Sequence, residues 1–479
     1  MSQAILEPKQ KQDIDLIQIK NIFDAQIANQ YNIGNTTVAQ RKQKLNKLLK
    51  IVMKYREQIK KAMFDDFKKH PSEVDMTEIY PVVTEIKHAL SHLGSWMRDK
   101  SVHTPIGLLG STSYIKYEPK GVVLIISPWN FPFNLTFCPL VLAIAAGNCV
   151  IIKPSELTPH TSALLKKIIE ECFEKNEVAV LEGGVETSTQ LLTLPFNHIF
   201  FTGSPTVGKI VMTAAAKNLT SVTLELGGKS PTIIDETADI DTAAKRIAWA
   251  KFTNNGQICI APDYVYVHSR QKEKFLSLAK KYLEEFYSND PSAESSYGRI
   301  VNNRHFERVN RYIEDAITKG AKIVTGGTTI SDKNYISPTI MTDVDKNSSL
   351  MQDEIFGPVL PVLTYTDIYE VLRDIQGGEK PLALYIFSKS NKNIEFILKN
   401  TRAGGGCINH CSIHYYNTHL PFGGTNNSGI GKSHGYEGFK AFSNERGILR
   451  QNFKNALELL VPPYNDFKNK LIDLTVKYF

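Results

Sequence analysis

The chain has 479 residues, 42% of them hydrophobic, enough for a globular protein of two or three domains with large cores. Its net charge of +7, from 56 lysines and arginines against 49 aspartates and glutamates, is too slight over this length for a nucleic-acid footprint, so no nucleic-acid partner is expected. The cysteines Cys138, Cys149, Cys172, Cys259, Cys407 and Cys411 lie mostly inside apolar runs, and no charged-then-apolar signal segment opens the chain, which favours a reducing, cytoplasmic setting.

No apolar run approaches the roughly 18 residues that would span a bilayer. Residues 1–15 are polar and predicted to be frayed. From Gln40 to Phe67 the apolar positions Leu45, Leu48, Leu49, Val52, Tyr55, Ile59 and Met63 recur every three or four residues, which predicts one amphipathic helix with a solvated, lysine-rich outer face. Helix is expected to continue from Glu73 to Arg98, with Pro81 as a start or a kink. Gly107 to Tyr117 reads as loop and strand.

At Gly121 the pattern changes. Gly121 to Ile126 and Cys149 to Lys153 are continuous apolar runs rich in β-branched residues, as expected of parallel strands buried on both faces. Val178–Glu182, His198–Thr202 and Ser221–Glu225 follow as further strands. Helices are predicted between them, over Leu135–Ala146, Thr161–Lys175 and Ile210–Lys217. Strands alternating with helices imply a doubly wound parallel sheet, whose ligands bind at the carboxyl ends of the strands. The polar residues at or just past those ends are Asn130, Lys153, Glu156, Ser204 and Glu225.

Each of these residues has a chemistry to offer. Lys153 and Glu156 stand three apart after one strand, where a lysine and a carboxylate can bond the hydroxyls of a ribose. Gly203-Ser-x-x-x-Gly208 opens a helix, where free amides and the dipole favour a phosphate; it is not the G-x-G-x-x-G fingerprint, and a glycine there is more often only a turn. Glu225 precedes Leu226-Gly227-Gly228. In a partly apolar site its pKa rises and suits general-base work; at a solvated strand end it is an ordinary charge. Asn130 sits between Pro128 and Pro132, stiff enough to hold an amide toward a developing oxyanion, or to cap an Asx turn.

Phe252 to Tyr264 carries Cys259 behind the turn-prone run Asn254-Asn-Gly-Gln257. As a thiolate, a cysteine held there beside a ligand is a strong nucleophile. From this stretch alone, a small buried apolar residue is the commoner reading. The remainder predicts a second α/β unit: helices over Asp235–Lys251 and Lys272–Tyr287, and strands over Tyr264–His268, Lys322–Thr325, Tyr335–Ile340, Val359–Leu363 and Leu382–Phe387, with a glycine run at Gly404–Gly406.

Pro128-Trp-Asn-Phe-Pro132, Leu224-Glu-Leu-Gly-Gly-Lys229, Gly256-Gln-Ile-Cys259 and Glu354-Ile-Phe-Gly-Pro358 together resemble the aldehyde dehydrogenase superfamily, in its order and spacing. The likeness runs from about Asn21 almost to the end. Ala261-Pro-Asp-Tyr264, Pro421-Phe-Gly-Gly424 and the short N-terminus look like its class 3 branch of fatty, aromatic and coniferyl aldehyde dehydrogenases. The resemblance implies an α/β fold of two doubly wound domains, cofactor-binding and catalytic, plus a small oligomerisation arm. It assigns residues 1–227 to NAD binding, with part of the arm near 100–120. Residues 228–415 form the catalytic domain, and 416–479 return to the NAD domain with an oligomerisation strand and a C-terminal tail. A homodimer is implied.

The resemblance also implies roles. Cys259 attacks the aldehyde carbon, Asn130 and the Cys259 backbone amide hold the oxyanion, and hydride transfer leaves a thioester that water, activated by Glu225, hydrolyses. Lys153 and Glu156 match residues that hold the adenine ribose, and Gly203 and Ser204 residues beside the ribose and phosphates. Glu354 bonds the nicotinamide ribose and Phe356 packs near the ring. A carboxylate at 156 repels the 2′-phosphate of NADP, so NAD is preferred, with NADP as a second acceptor. The substrate implied is a long-chain aliphatic or aromatic aldehyde. The rivals are a CoA-acylating or semialdehyde-specific relative and an inactive binding protein on the same scaffold.

Three features depart from the pattern. Cys407-Ile-Asn-His-Cys-Ser-Ile-His414 invites a zinc reading, but the spacing has no usual finger form and no second ligand pair follows, so no metal is expected. His410 stands where class 3 relatives usually carry Asp, which leaves substrate choice open, and Asn426 replaces a common glycine. The tail, Asn465 to Phe479, reads as a short amphipathic helix with Phe467, Leu471, Leu474 and Tyr478 on one face; packing against the partner subunit or the body is favoured over peripheral membrane contact.

Overall fold

The computed structural model describes residues 15–453 and 456–478; the frayed terminus expected over 1–15 falls, but for Asp15, outside the described residues. The first five predicted strands form one parallel sheet in the spatial order Ser221–Leu226, His198–Gly203, Val122–Ile126, Cys149–Lys153, Val178–Val180. Gly429–Ile430 returns from far along the chain to pair antiparallel with the Ser221–Leu226 edge. Every residue of Val122–Ile126 and Cys149–Lys153 is buried. Alternation assigns the two faces: Val123, Ile125, Val150 and Ile152 pack with the helices of residues 38–96 and 134–172. Val122, Leu124, Cys149 and Ile151 pack with Ile19, Phe23, Leu191 and Val211.

The second sheet has seven strands in the order Lys322–Thr325, Thr339–Thr342, Val359–Tyr365, Tyr264–His268, Pro231–Ile234, Ala383–Phe387, Gly405–Ile408. Only the first of these is antiparallel to its neighbour. Both sheets thus present strand ends in the doubly wound manner, joined by the short link between Leu226 and Pro231. A third, antiparallel sheet joins Lys100–Val102, Ser111–Pro119 and Ser443–Gln451.

Several predicted elements differ in detail. The helix predicted over 40–67 is two, Val38–Lys54 and Arg56–Phe67, broken at Tyr55. Leu45, Leu48, Val52, Ile59 and Met63 all enter one core cluster, so their spacing carries on across the break and conceals it. The helix predicted over 73–98 contains a π-helical turn, Asp75–Ile79, and Pro81 lies in the first turn of Tyr80–Trp96. The helix predicted from Asp235 starts at Ile240, capped by Asp239, because Pro231–Ile234 is a strand. The strand predicted over 335–340 is two, Tyr335–Ile336 and Thr339–Thr342. The C-terminal helix, Asp466–Tyr478, buries none of its side chains, and Phe467 is 71% exposed.

Glu85, 1% exposed, lies on the helix Tyr80–Trp96, where one carboxylate oxygen accepts the Gly435 backbone N–H at 3.0 Å. Burial pushes its pKa from 4.5 up to about 8. The folded state therefore keeps this proton while the unfolded chain loses it, and folded stability falls as pH rises between those two values. Glu85→Gln is expected to flatten that fall, by up to about 1.4 kcal/mol per pH unit, measured by denaturant unfolding between pH 5 and 8.

Candidate active site

The backbone turns three times into left-handed space just before Cys259: Asn254 has φ +50°, Asn255 +53° and Gly256 +69°. Asparagine and glycine tolerate that region best. At Gly256 the reason is also contact, since a Cβ would lie 2.3 Å from the Gly357 carbonyl oxygen. The turn is then tied down. The Asn254 N–H donates to Glu73 at 3.0 Å, and the Asn254 side-chain amide donates to the carbonyls of Asn130 at 2.9 Å and Gln257 at 3.2 Å. Gln257 donates to the Asn254 and Arg299 carbonyls and accepts from the Val301 N–H at 3.1 Å.

Cys259 stands half-buried between two hollows. On one side is a cleft of about 1110 Å³, lined among others by Asn130, Gly203, Ser204, Glu225, Glu354 and Phe356. On the other is an apolar cavity of about 70 Å³ walled by Phe131, Trp249, Ile258, Tyr415 and Tyr416. Burial pushes the Cys259 thiol well up, and Glu354 and Glu225 push it further. The local field thus opposes the thiolate that the sequence reading needs. The direction of the shift favours the neutral thiol.

Glu225, buried at the end of its strand, accepts the Ser433 hydroxyl at 2.9 Å through Oε1, while Oε2 is buried without a partner. Burial lifts its pKa to about 8, against the pull of Ser433 and Lys432. The direction is the one expected of a carboxylate in an apolar site. Asn130, also buried, donates one N–H of its side-chain amide to the Gln257 carbonyl at 3.0 Å, leaving the other for a ligand.

Ser204 caps the helix Pro205–Ala216, with its hydroxyl accepting from the Val207 N–H at 3.4 Å. Glu354 rests on Gly227, where a Cβ would come within 2.2 Å of its carboxylate. Its Oε1 is buried and unpartnered, and burial together with Asp263 pushes its pKa up to about 8. Phe356 takes φ +44° and meets the Trp129 ring edge-on at 5.3 Å. Arg308 steadies that turn by donating to the Ile355 and Phe356 carbonyls at 2.8 and 3.2 Å. Lys153 and Glu156 are not among the residues lining the cleft; they pair with each other at 2.8 Å on the adjacent strand end.

Other side chains in the site carry no role in the sequence reading. Ser433 is 208 residues from Glu225, and no local pattern joins them. Lys229 and Asp263 lie inside quoted motifs. Lys229 bonds Asp263 and the Leu350 and Asp353 carbonyls, and Asp263 accepts the Ile355 N–H at 3.0 Å, which fixes the loop bearing Glu354. His410 meets Trp249 edge-on at 6.1 Å. Cys407 contacts His414 at 3.3 Å, Cys411 is buried, and among the described residues no group of three or more His, Cys, Asp or Glu is placed to hold a metal ion. Asn426 adopts φ +55°, a left-handed conformation that asparagine tolerates better than most residues.

Residues 9–448 match the model of the aldehyde dehydrogenase family. The chain is 44% identical over 424 residues to the 4,4′-diaponeurosporen-aldehyde dehydrogenase of Staphylococcus aureus, covering 88% of this chain and 92% of that one. It is 42% identical to the mouse dimeric, NADP-preferring aldehyde dehydrogenase, over 89% of this chain and 93% of the other. The substrate-bound structure of Staphylococcus aureus AldH superposes with a TM-score of 0.91 at 42% identity, covering 96% of this chain and 99% of that chain. A Mycobacterium tuberculosis aldehyde dehydrogenase complexed with NAD+ gives 0.84 at 25% identity over 92% of each chain.

Gly256→Ala is expected to cost about 1–3 kcal/mol of stability, because the new Cβ meets the Gly357 carbonyl in a left-handed turn. It should also move Cys259, read as a changed rate of alkylation by iodoacetamide beside denaturant unfolding.

Proposed function

The chain belongs to the aldehyde dehydrogenase family, and from that premise we propose that it oxidises a long-chain or aromatic aldehyde to the carboxylic acid through covalent chemistry on Cys259. The observation that carries this reading is that Cys259, Glu225 and Asn130 line one cleft, with an apolar cavity also bordered by Cys259. The Cys259 thiol gives up its proton and the sulfur adds to the aldehyde carbon. The free N–H of the Asn130 amide, with the Cys259 backbone N–H, holds the oxyanion. Glu225, with one oxygen fixed by Ser433 and the other bare, takes a proton from the water that releases the acyl group from sulfur. Because Glu225 can activate water, release to CoA is the less favoured reading.

The cleft fits a nicotinamide dinucleotide. Glu354 offers a buried, unpartnered oxygen above a glycine, and Gly203 and Ser204 open a helix N-terminus toward it. Bound there, the dinucleotide supplies the hydride acceptor. We assign Glu354 to the ribose next to the nicotinamide, Phe356 to the ring region, and Lys153 and Glu156 to the adenine ribose at the neighbouring strand end. The exposed Glu156 carboxylate repels an added phosphate, so NAD is preferred and NADP is the second acceptor.

The apolar cavity sets the substrate. Its lining carries no cation, only apolar, aromatic and uncharged polar side chains such as Thr77, Asn134 and Ser412. A semialdehyde carboxylate would be desolvated there without a partner. We further propose a cytoplasmic homodimer. The NAD-binding unit spans 1–227 with 416–479, the catalytic unit 228–415, and the arm near 100–120 pairs with Ser443–Gln451. The first two units follow the two large sheets. The tail helix, exposed along its length, packs on the partner subunit in this reading, with peripheral membrane contact as the lesser use.

Cys259→Ala is expected to abolish both aldehyde oxidation and ester hydrolysis. Glu225→Gln should give a burst of NADH and then turn over slowly; full steady-state activity in that variant would reject its role. As an ionised base of pKa about 8, Glu225 makes acyl release rise with pH through that value, a rise that Glu225→Gln should lose. Across a panel scored by NADH formation, apolar aldehydes should exceed a carboxylate-bearing semialdehyde in kcat/KM by about tenfold or more.

A further inference from the structure

Behind the Asn130 peptide lies a charged cluster that the proposed chemistry does not use. Lys69 is 1% exposed and Glu78 is fully buried, and they pair at 3.0 Å. The Lys69 ammonium also reaches the Asn130 carbonyl oxygen at 3.5 Å and sits 4.5 Å from the centre of the Phe131 ring. The second Glu78 oxygen accepts the Asn134 N–H at 2.9 Å, and the Asn134 side-chain amide donates to the Thr77 carbonyl at 3.0 Å. Glu78 and Thr77 are presented by the π-helical turn Asp75–Ile79, a local irregularity often found at working sites. Just ahead of that turn, Glu73 accepts the Asn254 N–H at 3.0 Å. One short segment, residues 69–78, therefore grips Asn130, Asn134 and Asn254 together.

A buried ion pair is a poor source of stability, because taking both charges out of water offsets most of their attraction. Its value here is positional. The Asn130 carbonyl is held by the Asn254 amide at 2.9 Å and faces the Lys69 cation, so the plane of that peptide is fixed. Fixing that plane fixes the root of the Asn130 side chain. A donor must lie within about 0.5 Å of its productive position to stabilise an oxyanion fully.

We propose that Lys69 and Glu78 are positioning residues for carbonyl addition at Cys259, aiming the Asn130 amide from behind. The inference rests on the reading of Cys259 and Asn130 given above. Neither Lys69 nor Glu78 lines either hollow beside the sulfur, so the pair acts through Asn130 and not on substrate.

The test is the double variant Lys69→Met, Glu78→Gln in the full-length protein. It removes both charges at nearly constant volume and leaves a Gln carbonyl to accept the Asn134 N–H. Four quantities are read against wild type and Asn130→Ala: ester hydrolysis, the NADH burst, NAD affinity, and Cys259 alkylation by iodoacetamide. Alkylation displaces iodide and forms no oxyanion, so it reports the sulfur alone. The expected result is a fall of about tenfold or more in ester hydrolysis and burst rate, with alkylation and NAD affinity within about twofold of wild type. Unchanged ester hydrolysis, or alkylation falling in parallel, would overturn the proposal. If the double variant does not fold, Glu78→Gln alone is judged by the same four readouts. Full ester hydrolysis in Asn130→Ala would instead reject the oxyanion role of Asn130, which separates failure of that reading from failure of this inference.

Discussion

The side chain of Asn254 grips two carbonyls at once, those of Asn130 and Gln257. Asn130 follows a strand of the first sheet, and Gln257 leads to Cys259 and the Tyr264–His268 strand of the second sheet. Two loops more than a hundred residues apart are thus held in register by one planar amide. The grip needs the left-handed turn at Asn254–Gly256, which Gly357 presses so closely that only glycine fits at 256. Backbone strain of this kind persists only where the surroundings over-determine it, and here Glu73, Gln257 and Arg299 do so.

Burial sets the electrostatics of the site. Glu225 and Glu354 both hold protons up to about pH 8, and the Cys259 thiol is pushed up with them. Each acid keeps one oxygen unpartnered. The arrangement is costly at rest and apt once a ligand arrives, since a bare buried oxygen gains most from the first donor it meets. The cavity bordered by Cys259 is lined by apolar and uncharged side chains, whereas the cleft carries Glu225, Glu354 and Lys229 on its lining.

Much of the fold was legible because parallel strands buried on both faces leave unbroken apolar runs, as in Val122–Ile126 and Cys149–Lys153. Strand ends then marked Asn130 and Glu225, and the turn-prone run before Cys259 marked the loop. The break at Tyr55 was not legible, since both helices face one core and share one periodicity. Ser433, Asn254 and Lys69 were silent for a different reason: their partners lie 208, 124 and 61 residues away, and spacing carries no signal of such contacts. The upward push that burial gives the Cys259 thiol was not legible either, because a sequence names charges without saying which groups are desolvated. Lys153 and Glu156 were rightly found at a strand end, yet they stand beside the main cleft and not on its wall.

Cys259 borders both a wide cleft of mixed polarity and a small, largely apolar cavity. If the cleft holds the dinucleotide, each aldehyde oxidised spends one of them, so cofactor and carbonyl compound must both be exchanged once per turnover, from separate spaces. A molecule in the cleft and one in the cavity would share Cys259 as a neighbour, so that residue is where two separately held ligands could meet.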